Sequence, residues 1–254
     1  MPVANGIYYE TDGSPGLPAL IFSNSLGTTL EMWDAQAREF AKNYHVIRYD
    51  TRGHGRSSSP AGPYTLAQLG GDVLALMDYL SISHAHFCGL SMGGLTAQWL
   101  GVYAYDRMDK LVIANSAARV GTADGWGQRA RTAREEGLAG IADGAAGRWF
   151  TPDFIAREPE RLAALVETMR QGSADGYAAC CEALAVADLR DKIQTIPNAT
   201  LIIAGSQDPV TTIIDAAFMQ QMIKDAATVT LAASHISNIE APAAFNQALA
   251  TFLR

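Results

Sequence analysis

Gly89-Leu90-Ser91-Met92-Gly93 decides how this chain reads, because it sets a serine between two glycines where a strand gives way to a helix. Upstream, Ala85-His86-Phe87-Cys88 has the character of a short buried strand. Downstream, Gly94-Leu95-Thr96-Ala97-Gln98-Trp99-Leu100 reads as a helix packed closely through its small residues. A sharp strand-to-helix turn forces the serine backbone into an unfavourable region, and side chains two residues to either side collide unless they are hydrogen atoms. Gly89 and Gly93 remove those collisions. Ser91 then stands at the carboxyl edge of a sheet and at the amino end of a helix, where free N–H groups and the helix dipole favour an oxyanion.

Other apolar runs recur at α/β spacing: Ile7 to Glu10, Ala19 to Ser23, Tyr44 to Asp50, Lys110 to Ala114, Leu201 to Gly205 and Thr228 to Leu231. They predict an α/β fold with a mostly parallel central sheet flanked by helices. One flanking helix is clear, with Thr65 and Gln68 spaced as a capping box and Leu66, Leu69, Val73, Leu76, Met77 and Leu80 forming its apolar stripe. Between Ala114 and Thr200 lie about eighty residues of helical character, too long for an ordinary crossover. This stretch predicts a helical lid (cap) over 119–184, inserted into a core made of 1–118 and 185–254. Its pieces include Thr122 to Glu136, ending at Gly137, and Pro159 to Gly172, with Gly140, Gly144 and Gly147 loosening the middle.

A serine hydroxyl is a poor nucleophile at neutral pH, so it needs a base to take its proton and an acid partner to orient that base. Of the five histidines, His45 and His86 fall within strands, His84 precedes one, and His54 belongs to a Gly-rich turn. His235 lies just past the last strand, at the sheet edge where Ser91 sits. Asp208 follows the very apolar run Leu201-Ile202-Ile203-Ala204-Gly205. Taken singly, Asp208 before Pro209 is a turn former and His235 a solvated loop residue. Together, in the order Ser91, Asp208, His235, they match the triad order of α/β-hydrolases. The oxyanion hole is predicted from two backbone N–H groups, Met92 and Leu26, the latter in the loop Ser23-Asn24-Ser25-Leu26-Gly27 after the second long strand. Asp50-Thr51-Arg52-Gly53-His54-Gly55-Arg56-Ser57 is read as a tight structural turn, with Arg52 tied to nearby carbonyls, and is left outside the site.

A net charge of −7 and the absence of any Lys/Arg-rich run argue against nucleic acid and against a membrane surface as partners, which leaves a small molecule. The first residues lack a basic and apolar leader, and no apolar run is long enough to span a bilayer, so the expected location is cytoplasmic. Cys88, Cys180 and Cys181 have no metal-ligand spacing and are read as reduced packing residues. No dinucleotide or phosphate-loop fingerprint is present, so neither a cofactor nor a metal is expected, and a homo-oligomer remains open.

Over essentially its whole length the chain resembles the bacterial 3-oxoadipate enol-lactonases of the β-ketoadipate pathway, within the α/β-hydrolase superfamily. The stretches that carry the resemblance are Ser23-Asn24-Ser25-Leu26-Gly27-Thr28 with Trp33, then Cys88 to Gly94, Trp126-Gly127-Gln128-Arg129, and Arg148-Trp149-Phe150-Thr151-Pro152. The elbow and triad specify only the superfamily; the oxyanion loop and lid sequences point to the lactonases. Many relatives have His-Gly where this chain has Asn24-Ser25, so the hydrogen bonding of that loop differs in detail. The resemblance implies the α/β-hydrolase fold with its lid between the family's sixth and seventh strands. It also implies a serine hydrolase of aromatic catabolism that opens an anionic five-membered enol-lactone bearing an acetate arm. Arg129 is then the first choice to hold the acetate, with Arg131, Arg134 and Arg148 as competitors, Trp126 or Trp149 walling off water, and Ser25 beside the ring. Against this, arginines on amphipathic helices commonly face solvent or pair with neighbours such as Glu135 and Glu136. The rival readings are a carboxylesterase or cofactor-free perhydrolase with the same triad, and a hydrolase-fold ligand-binding receptor.

Overall fold

Short runs rich in β-branched and aromatic residues pack well on a pleated, buried surface, and here each becomes a strand. The computed structural model describes residues 3–254. Its strands are β1 Val3–Ala4, β2 Ile7–Asp12, β3 Ala19–Ser23, β4 His45–Tyr49, β5 Ala85–Leu90, β6 Met108–Ala114, β7 Ala199–Gly205 and β8 Ala227–Leu231. They form one sheet in the order β1-β2-β4-β3-β5-β6-β7-β8. From β4 across to β8 every neighbouring pair is parallel, while β1 and β2 run antiparallel at one edge. The two-residue β1 is the strand that the apolar pattern does not reveal, being too short to have a period. Residues of β3 and β4 are buried throughout, as strands covered on both faces must be.

The flanking helices are α1 Asp34–Phe40, α2 Leu66–Tyr79, α3 Met92–Tyr103, α4 Ala123–Glu136, α5 Ala139–Asp143, α6 Ala145–Trp149, α7 Pro152–Arg157, α8 Pro159–Arg170, α9 Ala174–Val186, α10 Ile213–Met222, α11 Ser237–Glu240 and α12 Pro242–Leu253. Leu66, Leu69, Val73, Leu76 and Met77 of α2 are buried as its stripe requires. Its capping box is only half formed. The Thr65 hydroxyl accepts the Gln68 N–H at 3.2 Å, but the Gln68 side chain reaches that hydroxyl instead of the Thr65 N–H. Six helices, α4 to α9, occupy the stretch between β6 and β7. Thr122 caps α4, which stops at Gly137 with φ 76°, and the glycine-containing middle forms the two five-residue helices α5 and α6, which meet at Gly144. None of the described helices is long and apolar enough to cross a membrane.

Parallel strands place all their carboxyl ends on one edge, and loops leaving that edge converge there. Ser91 turns the chain from β5 into α3 with φ 58° and ψ −112°. A methyl group on Gly89 would stand 1.9 Å from the Gly93 carbonyl oxygen, and one on Gly93 would stand 2.3 Å from the Ser23 carbonyl oxygen. The spacing of the motif is therefore set by backbone passing backbone. Gly71 in α2 has open space around it. Gly71→Ala should accordingly raise stability by about 0.5–1 kcal/mol, while Gly89→Ala should lower it by about 3 kcal/mol. Urea unfolding of the two variants checks both signs.

Candidate active site

Three residues remote in sequence meet at the carboxyl edge. His235, in the loop between β8 and α11, has Nε2 2.9 Å from Ser91 Oγ and Nδ1 2.9 Å from Asp208 Oδ2. A carboxylate accepts only, so Nδ1–H donates to Asp208 and Nε2 is left to accept the serine hydroxyl proton. All three side chains are buried.

Asp208 is held on every side. Its Oδ2 also accepts from Asn115 Nδ2 at 3.0 Å and Thr211 Oγ1 at 2.8 Å, and Oδ1 accepts the Val210 and Thr211 N–H groups at 2.8 and 3.1 Å. Burial pushes this carboxyl up, but hydrogen bonding and charge from His235, with the Asn115 and Thr211 donors, outweigh it and leave the group below its ordinary value. Asn115, directly after β6 with φ 41°, also donates to the Ser234 carbonyl at 3.1 Å and accepts from Ser237 Oγ at 2.5 Å. It therefore ties the acid loop to the histidine loop. The sequence carried one signal for it, a polar residue at the end of an apolar strand on the same edge as Ser91.

The loop after β3 is braced against the elbow. The Asn24 carbonyl accepts the Gly93 N–H at 3.1 Å, Asn24 Nδ2 donates to the Tyr49 carbonyl at 2.9 Å, and the Ser25 carbonyl accepts both the N–H and the hydroxyl of Thr28 at 3.2 and 2.8 Å. Gly27 takes φ 82°, which favours glycine at this turn. Among the described residues, the N–H groups of Leu26 and Met92 have no hydrogen-bond acceptor. Both belong to residues beside Ser91 in chain or cavity, which leaves two donors free for an incoming oxyanion.

A cavity of about 50 Å³ opens on Ser91 and His235, and its lining includes Ser25, Leu26, Trp126, Arg129, Arg148 and Trp149. A larger groove of about 840 Å³ beside α1 and α8 has no serine, cysteine or histidine in its lining, so size does not locate the chemistry. Val120, Met169, Tyr177, Leu184 and Val210 complete the smaller cavity. They lie on four segments, with Tyr177 and Leu184 sharing α9, and no single local pattern announced them.

The arginine candidates separate cleanly. Arg134 is engaged by Glu182 at 2.5 and 2.8 Å, and Arg131 bonds Gln128 at 2.7 Å on the exposed side of α4. Arg129 and Arg148 both line the cavity, and among the described residues neither has a carboxylate partner. Arg129 lies over the Trp126 and Tyr177 rings at 5.8 and 6.0 Å, with its Nε unsatisfied; Arg148 donates to the Ile141 carbonyl at 2.7 Å. Burial and the charge of Arg129 together lower the Arg148 pKa. Glu240 fastens this region to the histidine loop, accepting from the Ser234 N–H at 2.8 Å and from the Thr151 hydroxyl at the start of α7.

The turn after β4 departs from expectation in two ways. Arg52 pairs with the Asp72 carboxylate of α2 through two bonds of 2.5 Å and is not tied to backbone carbonyls, because a bidentate ion pair is stronger than neutral acceptors. His54, assigned only to the turn, reaches the Gly27 N–H in the oxyanion loop at 2.9 Å.

The chain belongs to the Alpha/beta hydrolase family, whose sequence pattern matches residues 20–248. It is 53% identical to 3-oxoadipate enol-lactonase 2 of Acinetobacter baylyi over 97% of this chain and 92% of that protein. It is 45% identical to 3-oxoadipate enol-lactonase 1 of the same organism over 96% of this chain and 92% of that protein. The crystal structure of the enol-lactonase from Burkholderia xenovorans LB400 superposes with a TM-score of 0.96 at 45% identity, covering 98% of each chain.

Removing a buried donor from Asp208 should loosen the imidazole without emptying the site. Asn115→Ala is expected to lower kcat by about 10- to 100-fold, and Asp208→Asn by about 10⁴-fold, as steady-state kinetics would measure. A second readout is stability against pH. Because the folded-state pKa of Asp208 is lowered, its carboxylate contributes stability above the unfolded value near pH 4, and this is lost as the pH falls through the folded value. Asp208→Asn should therefore lose less stability than wild type between pH 5 and pH 2, measured by urea unfolding.

Proposed function

We propose that the chain is a serine hydrolase that opens 3-oxoadipate enol-lactone to 3-oxoadipate through an acyl-enzyme on Ser91, with Asp208 and His235 completing the relay. The observation that carries this reading is the pairing of a Ser91–His235–Asp208 relay with two cavity arginines, Arg129 and Arg148, that have no carboxylate partner among the described residues. Two guanidinium groups close together and partly shielded from water repel one another, and an anionic arm between them relieves that cost. The names of the similar proteins from Acinetobacter baylyi and Burkholderia xenovorans agree with the substrate.

In this reading Ser91 Oγ attacks the lactone carbonyl while its proton passes to His235 Nε2. The oxyanion lies between the Leu26 and Met92 N–H groups. Its collapse breaks the ring C–O bond, and the leaving enol oxygen takes the proton back from His235. An enol is more acidic than an ordinary alcohol, so this step is easier than for a simple ester. Water then gives a proton to His235 and adds to the acyl carbon; collapse breaks the Ser91 ester bond as Ser91 Oγ takes that proton back from His235, and the enol tautomerises to the ketone. Asp208 keeps His235 in the tautomer that accepts from serine. Residues 119–184 act as the lid: Trp126 and Trp149 exclude water around the carboxylate, Arg129 and Arg148 bind it, and Ser25 lies against the ring.

The substrate in this reading is a small anionic lactone, and specificity data decide between it and the rival readings. Wild type should open the enol-lactone at metabolic rates in a spectrophotometric assay, and Ser91→Ala should lose about 10⁴- to 10⁶-fold in kcat. Faster cleavage of short p-nitrophenyl esters than of the lactone makes it a carboxylesterase; slow turnover with tight binding makes it a receptor. Arg129→Ala should cost about 10- to 100-fold in kcat/KM for the carboxylate-bearing lactone and little for an uncharged one. Equal losses on both would remove Arg129 from recognition.

A further inference from the structure

His54 is the one buried histidine near the cavity that the relay does not use. It sits in the turn after β4, and its Nε2 lies 2.9 Å from the backbone nitrogen of Gly27. A backbone N–H can only donate, so Nε2 must be the unprotonated nitrogen. The ring proton is then on Nδ1, where the Arg52 carbonyl accepts it at 3.3 Å. The other groups facing the ring are neutral: Cys180 Sγ of α9 is 4.0 Å from Nδ1, and the Tyr177 ring of the same helix is 6.4 Å away. Arg52 turns its guanidinium to Asp72, away from the imidazole. Burial pushes His54 down to about 4, partly opposed by the Arg52 carbonyl, so the ring stays neutral at pH 7.

Leu26 lies between two peptide groups. The Ser25–Leu26 peptide carries the Leu26 N–H and is pinned at its carbonyl by the N–H and hydroxyl of Thr28. Among the described residues, the Leu26–Gly27 peptide is pinned at its N–H by His54 alone. We propose that His54 is a positioning residue for the oxyanion hole, a neutral imidazole that accepts the Gly27 N–H and so fixes the direction in which the Leu26 N–H points. The proposal rests on the reading of Leu26 as an oxyanion donor, and it holds for any acyl group that Ser91 attacks. An oxyanion donor is worth about 10²- to 10³-fold in kcat. Loosening one of its two anchors while leaving the donor in place should cost part of that.

The test compares His54→Leu, which removes the acceptor, with His54→Gln, whose amide oxygen can stand where Nε2 stood. Both are assayed on the enol-lactone and on p-nitrophenyl acetate. His54→Leu should lose about 10- to 100-fold in kcat on both substrates with KM changed less than about threefold, because the ground state does not use the hole. His54→Gln should recover to within about fivefold of wild type. An unchanged kcat in the leucine variant, a loss confined to KM, or no recovery with glutamine would overturn the proposal. If wild type cleaves the ester but not the lactone, the enol-lactonase reading fails while the ester kinetics still decide the role of His54. Nitrogen NMR of the wild type, assigned through the glutamine variant, gives a readout that does not depend on the leucine variant folding. His54 should be the Nδ1–H tautomer at pH 7, and an imidazolium or an Nε2–H tautomer would overturn the proposal.

Discussion

A serine backbone held at φ 58° is the constraint on which the rest of the molecule turns. An L-residue in that region costs about 1–3 kcal/mol and persists only where its surroundings allow nothing else. Here the surroundings are backbone: Gly89 passes Gly93, and Gly93 passes Ser23. The close approach fastens α3 to β5 and to β3, and the Gly93 N–H donates to the Asn24 carbonyl at the root of the oxyanion loop. Ser91 and the loop after β3 are thereby placed by one contact. The hydroxyl is carried clear of the sheet, toward a histidine supplied from the far side of the parallel array.

Electrostatics complete what sterics begin. A buried carboxylate is tolerable only when its lone pairs are used, and Asp208 uses them on five donors. That saturation orients the imidazole, and Asn115 extends it to the loop that carries the imidazole. Across the cavity the logic is reversed. Among the described residues Arg129 and Arg148 have no counter-ion, although Arg134, on the same helix as Arg129, has two carboxylates within reach. In the proposed reading, satisfied charge around the relay and unsatisfied charge across the cavity suit an anionic ester.

The sheet, the elbow and the three relay residues were legible in the sequence because each rests on a local pattern: apolar runs, a five-residue glycine spacing, and polar residues just past strand ends. The order of the three along the chain did the remaining work. Asn115 and His54 were not legible in their roles, since the contacts that give them meaning span 93 and 27 residues. Asparagine after a strand and histidine in a Gly-rich turn are ordinary residues until their partners are known. The arginines fall between these cases. Sequence put Arg129 first, and only packing could separate Arg148, which lines the cavity, from Arg131 and Arg134, which do not. The capping box of α2 was half right because Gln68 found the nearer hydroxyl.

The central claim is that Ser91 is the nucleophile and that His235 makes it one. Inactivation with an organophosphorus reagent, followed by peptide mapping, tests this most directly. One phosphoryl group should appear on the peptide containing Ser91, in step with loss of activity, and the reaction should be abolished when His235 is replaced by alanine. Labelling at any other residue, or full activity surviving stoichiometric modification of Ser91, would contradict the account.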